Sequence, residues 1–222
     1  MKSAKCTILY YTSNREDESF EKKIRSILLK INNDRYPIIS ISQKPIDLGR
    51  NICVGDVGVS DHNIYRQIQI GCQEAKTPFI ISAEADNLYP HDYFNFIPEK
   101  IDVVCRYKNI WILKYWRTVF VRKPWCEGAQ IIGREYYLDL IEKELAGKPQ
   151  WLDGHYPTNP FRYLNRGWDY YGTEIPVISF KTGKGLRSNT WTTNSDYTRI
   201  LPYWGSVSTV RRKLRITRRQ AT

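Results

Sequence analysis

The first ninety residues alternate between short apolar runs and amphipathic helical segments. Apolar, β-branched and aromatic residues fill 6–13, 36–42 and 79–83. Between these runs lie 16–34 and 62–76, in which apolar residues recur every three or four positions. Strands that alternate with helices are joined by crossovers, so they pair in parallel with helices on the faces of the sheet. The sequence predicts an α/β fold with a Rossmann-like, mostly parallel central sheet.

The second half of the chain is less regular. Its candidate strands are 102–107, 111–116, 118–122, 128–133 and 174–180, its clearest helix is 134–147, and an aromatic loop spans 149–173. No repeat or low-complexity segment divides the chain. We therefore expect one domain over 1–180, built from the halves 1–100 and 101–180, followed by a basic C-terminal segment over 181–222.

Positive charge is concentrated at the C-terminal end. The chain has a net charge of +11, and residues 181–222 contain ten Lys or Arg and one acid, Asp196. A nearly neutral body with a basic end indicates a polyanionic partner: nucleic acid, an acidic membrane surface or a phosphorylated substrate. A solvated tail without a specific partner is the alternative.

The five cysteines are widely spaced and contain no CxxC pair, which favours reduced, mostly buried thiols over a disulfide framework or a zinc site. No apolar run approaches the ~20 residues of a membrane span. The apolar run near the N-terminus is short for a signal peptide, so we expect a cytoplasmic protein.

Two acids end an apolar strand. Residues 79–83 are followed by Glu84-Ala85-Asp86, and in open α/β sheets ligands bind outside the carboxyl ends of the strands. The loop 43–60, with three glycines, has the composition of a functional loop. Carboxylates one residue apart can share Mg²⁺ or Mn²⁺ together with phosphate oxygens. On spacing alone, a solvated acidic turn is the better interpretation.

Three segments, taken in order, resemble the GT-A glycosyltransferases, which move a sugar from a nucleotide-sugar donor. They are "ILYYTSN" (8–14), "VGVSDHNIYRQIQIGCQEAKTPFIISAEADNLYPHDYF" (57–94) and "CEGAQIIGREYYLDLI" (126–141). The resemblance covers roughly residues 5–180 and is one of pattern and order. It implies a GT-A-like fold, with the donor bound by 1–100 and the acceptor by 101–180.

The resemblance also implies roles for the donor-side residues, with a UDP-sugar as the expected donor. Asp86 would hold Mn²⁺ or Mg²⁺ at the diphosphate, and Glu84 would hold ribose or the metal. Further donor contacts would come from the first strand and the helix before the acidic turn: Tyr10, Tyr11, Thr12, Arg66 and Gln67. Strand alternation predicts that one of the two tyrosines packs in the core, and Arg66 is equally well interpreted as a surface residue. Many family members have a histidine ligand after the last core strand. Here that region carries Lys181, Lys184 and Arg187, which could stabilise the leaving diphosphate instead.

An inverting transferase needs a general base for the acceptor hydroxyl. The resemblance implies that this carboxylate follows the acceptor-side helix. Asp153 fits that order best, and Glu127 and Asp169 are alternatives. A retaining enzyme would not need such a base, and the sequence leaves the stereochemistry open.

All seven tryptophans lie between residues 111 and 204. Aromatic rings stack on sugars and on extruded bases, and the basic end suits phosphates. The composition therefore favours a nucleic-acid acceptor. A transferase of this kind resembles the phage-type DNA glycosyltransferases, and that resemblance implies a hydroxylated base in DNA, such as a hydroxymethylpyrimidine, as acceptor. One alternative is a lipid-linked or surface glycan at a membrane. The other is a non-catalytic nucleic-acid-binding protein with a degenerate GT-A fold.

Overall fold

The computed structural model describes residues 4–184 and 196–216. The four α-helices of this part are α1 (Glu18–Asn32), α2 (Asp61–Glu74), α3 (Arg134–Leu145) and α4 (Val207–Leu214). The strands are β1 (Cys6–Thr12), β2 (Ile38–Ser42), β3 (Arg50–Cys53), β4 (Phe79–Glu84), β5 (Asn87–Leu88), β6 (Val104–Tyr107), β7 (Ile110–Lys114), β8 (Phe120–Lys123), β9 (Gln130–Gly133), β10 (Asp169–Tyr171), β11 (Val177–Lys181), β12 (Tyr197–Thr198), β13 (Ile200–Leu201) and β14 (Gly205–Ser206).

The main sheet has seven strands in the order β10-β6-β9-β4-β1-β2-β3. β1 pairs in parallel with both β2 and β4, and β2 pairs in parallel with β3. β9 is antiparallel to its neighbours β4 and β6. The predicted mostly parallel sheet is confirmed, and β4 lies at its centre as the apolar run 79–83 indicated.

Local sequence signals explain the helices of the first half. The Ser60 hydroxyl accepts a hydrogen bond from the Asn63 N–H and thereby caps α2, and serine is one of the residue types preferred at this position. Phe20, Ile24 and Leu28 line the buried face of α1, which ends at Asn33 in the left-handed conformation.

Two predicted loops contain strands. The segment 43–60 includes β3, and 149–173 includes β10. Each lies at one edge of the main sheet and pairs with a single neighbour. A short, half-exposed edge strand has little apolar alternation, so the sequence pattern did not reveal it.

A second sheet of five strands has the order β12-β8-β7-β11-β5. The chain leaves the main sheet at the end of β4, turns through Ala85 and Asp86, and enters the second sheet as β5. It goes back to the main sheet for β6, enters the second sheet again at β7, and returns from β8 to β9 through residues 124–129. Two of these connections, the turn after β4 (the first crossing) and residues 124–129 (the second crossing), bring the sheets together at the carboxyl end of β4.

The C-terminal residues that the structure describes belong to the folded body. β12 pairs with β8, and α4 buries Val207, Val210 and Leu214 against Phe20 of α1 and Phe180 of β11. β11 runs through Lys181, so residue 181, where the basic C-terminal segment was predicted to begin, is the last residue of a strand of the second sheet.

All five cysteines are free thiols, and four of them are buried, as the sequence predicted. Among the residues described, no helix has the length and apolarity to cross a membrane.

Candidate functional site

A cleft of about 440 Å³ opens at the carboxyl ends of β1 and β4. Its walls come from the N-terminal part of α2, the crossing 124–128 and the end of β11. The volume is in the range of small-molecule sites, and the position agrees with the rule for ligands in open α/β sheets.

Glu84 is held by three neighbours. The Tyr11 hydroxyl donates to its Oε1 at 3.0 Å, and the Asn87 Nδ2 donates to its Oε2 at 3.1 Å. Gly128 packs so closely that a Cβ there would lie 2.2 Å from the same Oε2. Burial and then the charge of Asp86 raise the pKa of Glu84 to about 7. The carboxyl group of Glu84 therefore has a fixed orientation in the floor of the cleft.

Asp86 faces a lysine of the other sheet. The Lys181 Nζ lies 3.3 Å from the Asp86 Oδ2, and the two side chains are only 16% and 20% exposed. The Phe180 N–H donates to the Asp86 carbonyl at 2.7 Å, which fixes the strand beside the turn. Burial acts to lower the pKa of Lys181, but the carboxylates of Asp86 and Glu84 outweigh it, so the pKa is raised. Lys181 is a stable cation at the acidic turn.

Glu16 is a cleft residue that the sequence reasoning missed. It lines the cleft, and its Oε1 accepts a hydrogen bond from the Thr182 hydroxyl at 2.7 Å. Burial raises the pKa of Glu16 to about 7, and the charges of Asp86 and Glu21 add to the effect. No local pattern marks Glu16, because it lies in the short connection between β1 and α1.

The predicted nucleotide-side residues divide into two groups. Tyr11, Thr12 and Gln67 line the cleft, and the Gln67 Nε2 donates to the Thr12 carbonyl at 3.2 Å. Tyr10 is completely buried in the core and does not line the cleft. This is the consequence of strand alternation, which sends neighbouring side chains to opposite faces of β1.

Other predicted donor contacts lie elsewhere. Arg66 turns away from the cleft, and its Nη2 donates to the carbonyls of Lys148 and Pro149 at 2.9 and 3.0 Å. It thereby connects α2 to the segment after α3. Lys184 forms an ion pair with Asp17. Arg187 lies outside the described residues.

Of the three candidate bases, Glu127 lines the cleft. Asp153 is exposed beside the cleft, where its Oδ1 accepts the N–H groups of Val59 and Gly154, both at 2.9 Å. These hydrogen bonds lower the pKa of Asp153 and hold the loop before α2. Asp169 is exposed on β10, at the edge of the main sheet, and is not part of the cleft lining.

A buried arginine lies behind Glu127. The guanidinium of Arg106, on β6, is 4.6 Å from the ring centre of Trp125, 4.9 Å from that of Phe161 and 3.8 Å from that of Trp168. Such cation–π contacts stabilise a guanidinium that has left water. Arg106 therefore packs against Trp125 of the crossing 124–129. The signal in the sequence was a basic residue inside the otherwise uncharged stretch 103–107.

The acidic turn offers part of a cation site. Within residues 4–184 and 196–216, no group of three or more His, Cys, Asp or Glu side chains is arranged to hold a metal ion. Two carboxylates with phosphate oxygens are a suitable ligand set for Mg²⁺ or Mn²⁺. Asp86 and Glu84 fit such an ion by their chemistry, provided that Lys181 leaves the Asp86 carboxylate.

The comparisons with known proteins give fold likenesses only. No protein-family model and no curated protein matches the chain. Among solved structures, it is similar to a glycosyltransferase involved in glycosylation of the major capsid of PBCV-1, with 11% identity, a TM-score of 0.40, and coverage of 64% of this chain and 68% of that one. It is also similar to the catalytic domain of Drosophila β1,4-galactosyltransferase 7, with 12% identity, a TM-score of 0.45, and coverage of 92% and 75%.

A third similar structure is S. aureus TarS 1-349, with 11% identity, a TM-score of 0.43, and coverage of 87% of this chain and 59% of that one. All three identities are below 25% and all three TM-scores are below 0.5. The chemistry of the cleft therefore has to be argued from its own residues.

Proposed function

We propose that this protein is a glycosyltransferase that uses a nucleotide-sugar donor, with a UDP-sugar as the expected one. The observation that carries the proposal is the cleft at the carboxyl ends of β1 and β4, where the turn after β4 places two acids beside a lysine. A diphosphate needs cationic groups, and a sugar needs acidic and amide groups that bind its hydroxyls. The cleft contains both kinds.

The donor would lie along the carboxyl end of β1. Tyr11, Thr12 and Gln67 would contact the base and ribose, and Lys181, Lys123 and Arg15 are the cations that line the same cleft. Asp86 and Glu84 would hold Mn²⁺ or Mg²⁺ once the donor is bound, and such an ion neutralises charge on a leaving diphosphate. Lys181 adds a fixed positive charge at the same end of the cleft.

Transfer joins the acceptor oxygen to the anomeric carbon and breaks the bond from that carbon to the phosphate oxygen. The bonding electron pair leaves with the nucleoside diphosphate. In an inverting reaction, Glu127 would accept the proton of the acceptor hydroxyl, because it is the one of the three candidate bases that lines the cleft. Asp153 would act indirectly, by holding the loop before α2.

As acceptor we propose a hydroxymethylpyrimidine in DNA. The support is a basic surface on α1 and α4, formed by exposed Lys23, Lys30, Arg212 and Lys213. Burial, followed by the charges of Lys30 and Lys23, lowers the pKa of Lys213, as expected where cations lie close together. Phosphates of a polyanion would relieve this repulsion. A membrane acceptor is less well supported, because Leu29 is the one large exposed apolar side chain on these two helices.

The test is incubation with a panel of nucleotide sugars on plain and hydroxymethylated DNA, with and without Mn²⁺. We expect nucleoside diphosphate release that depends on both the donor and the hydroxymethyl group. Release on glycan acceptors but not on DNA would favour the membrane alternative. No release from any donor on any acceptor, together with unchanged donor affinity in Asp86→Ala, would favour the non-catalytic alternative.

A further inference from the structure

We propose that Lys181 and a divalent cation compete for Asp86, so that the cation binds well only when a nucleoside diphosphate draws the Lys181 ammonium away. In the free protein, Lys181 is the cation of the acidic turn. The inference rests on the proposed function for the identity of the diphosphate ligand.

The position of Lys181 is set by strand pairing rather than by a loop. Ser179 of β11 is the register partner of Asn87 in β5, and Ile178 is that of Leu88. β11 also pairs with β7 along its whole length, through Lys181 and Lys114. Since β5 begins directly after Asp86, this register places the end of β11 beside the acidic turn. The backbone hydrogen bond from Phe180 to Asp86 fixes the same relation.

The carboxylates of the turn are already engaged. One oxygen of Asp86 faces the Lys181 ammonium at 3.3 Å. Both oxygens of Glu84 accept hydrogen bonds, one from Tyr11 and one from Asn87. An incoming divalent cation would meet the positive charge of Lys181 at the carboxylate it needs, and the low exposure of the pair limits screening by water and salt.

A bound diphosphate would change the competition between Lys181 and the divalent cation for Asp86. Lys181 lines the cleft together with Lys123 and Arg15, so a bound diphosphate would offer its ammonium a second anion within the same cavity. The lysine side chain is flexible, and its ammonium acts as a point charge that can exchange one oxyanion for another. Asp86 is then free, and carboxylate with phosphate oxygens forms the oxygen ligand set that Mg²⁺ and Mn²⁺ prefer.

The competition implies reciprocal coupling. If a diphosphate strengthens Mn²⁺ binding by some factor, Mn²⁺ must strengthen diphosphate binding by the same factor. Part of that factor comes from Lys181, so removing its charge should strengthen Mn²⁺ binding in the absence of nucleotide and reduce the coupling.

The experiment measures Mn²⁺ affinity by calorimetry or by electron paramagnetic resonance, without and with UDP. We expect Lys181→Met to bind Mn²⁺ alone at least tenfold more tightly than the wild type, with a smaller gain on addition of UDP. Lys181→Arg, which keeps the charge, should resemble the wild type. The matched control is Lys114→Met: Lys114 is the register partner of Lys181 on β7 but is not among the residues that line the cleft. It should leave both affinities unchanged.

Circular dichroism establishes whether each variant is folded, and thermal unfolding gives a second readout. Mn²⁺ should raise the Tm of Lys181→Met more than that of the wild type, because it replaces the lost partner of Asp86. Equal Mn²⁺ affinity in wild type and Lys181→Met would overturn the proposal. So would tight Mn²⁺ binding that persists in the double variant Asp86→Asn/Lys181→Met. Sugar transfer is measured separately, so a change in Mn²⁺ affinity without any transfer would contradict the proposed function and not the competition.

Discussion

The main sheet and the second sheet bring unlike groups to the same cleft. The main sheet contributes the acid Glu84 at the end of β4, as the general rule for α/β sheets leads one to expect. The second sheet contributes Lys181 at the end of β11, a strand more than ninety residues later in the chain. The carboxyl edge of the parallel strands therefore locates the site, whereas the second sheet supplies the countercharge.

The crossings between the two sheets form the functional surface. Asp86 lies in the first crossing and Glu127 in the second, and Gly128 of the second crossing contacts Glu84 of the first strand end. Substitutions at the crossings should therefore affect activity most. Substitutions in the packing of the second sheet should lower stability, and those on the outer surface should have small effects.

Substitution of Glu127, in the second crossing, should have the strongest effect on catalysis. Glu127→Gln should lower kcat about 10²–10⁴-fold with little change in donor affinity, because it removes a general base and keeps the shape of the side chain. Asp169→Asn, outside the cleft lining, is the control and should retain wild-type kcat. A similar loss of kcat in both variants would contradict a specific catalytic role for Glu127 in the cleft.

Next comes the packing of α4 against the rest of the protein. Leu214 is 2% exposed in the cluster that joins α1, β11 and α4. Leu214→Ala should lower the free energy of unfolding by about 2–5 kcal/mol, as for other buried leucines. Urea unfolding checks this value, with Arg212→Ala as a surface control. A loss below about 0.5 kcal/mol, typical of surface substitutions, would mean that α4 contributes little to the core.

The close contact between the crossings should be sensitive to a single methyl group. In Gly128→Ala, the new Cβ would lie 2.2 Å from the Glu84 Oε2 and 2.8 Å from the Asn87 Nδ2. We expect a loss of about 1–3 kcal/mol in stability from overpacking. Gly167→Ala is the control, because a Cβ there meets nothing within 4 Å. Equal Tm values for the two variants would contradict the close packing of the crossings.

A smaller effect is expected from the pH dependence of Glu16. Burial raises the pKa of Glu16 to about 7 from its ordinary value of 4.5. Between these two values the unfolded chain releases a proton that the folded protein keeps, so stability falls as the pH rises from about 4.5 to 7. In Glu16→Gln, the decrease in the free energy of unfolding over this pH range should be smaller by about 1 kcal/mol, after allowance for solvent screening. Unfolding curves in EDTA at several pH values provide the measurement, and parallel pH profiles of variant and wild type would contradict it.

The smallest effect concerns the basic surface of α1 and α4. Each of Lys23→Gln and Lys213→Gln should weaken DNA binding modestly and lower the slope of log K against log salt by about 1. Lys108→Gln, which lies on the connection between β6 and β7, is the control and should leave the slope unchanged. If Lys23→Gln and Lys108→Gln behave alike, binding does not use this surface.

The sequence was most informative where local patterns decide structure. The alternation of the first ninety residues predicted β1, α1, β2, α2 and β4, and the Ser60 cap was readable from residue type alone. The edge strands β3 and β10 were missed, since short half-exposed strands have no strong period. The resemblance implied a donor contact for Arg66, but its guanidinium donates to carbonyl groups after α3.

The residue pattern alone predicted two acids at the carboxyl end of a central strand, because Glu84-Ala85-Asp86 directly follows the apolar run 79–83. The partners of those acids follow from contacts between distant parts of the chain. The pairing of β11 with β5 brings Lys181 to Asp86, and the return from β8 to β9 brings Gly128 to Glu84 and Glu127 into the cleft. These contacts join residues far apart in the chain, and their register depends on strand pairing between distant segments, which no local period encodes.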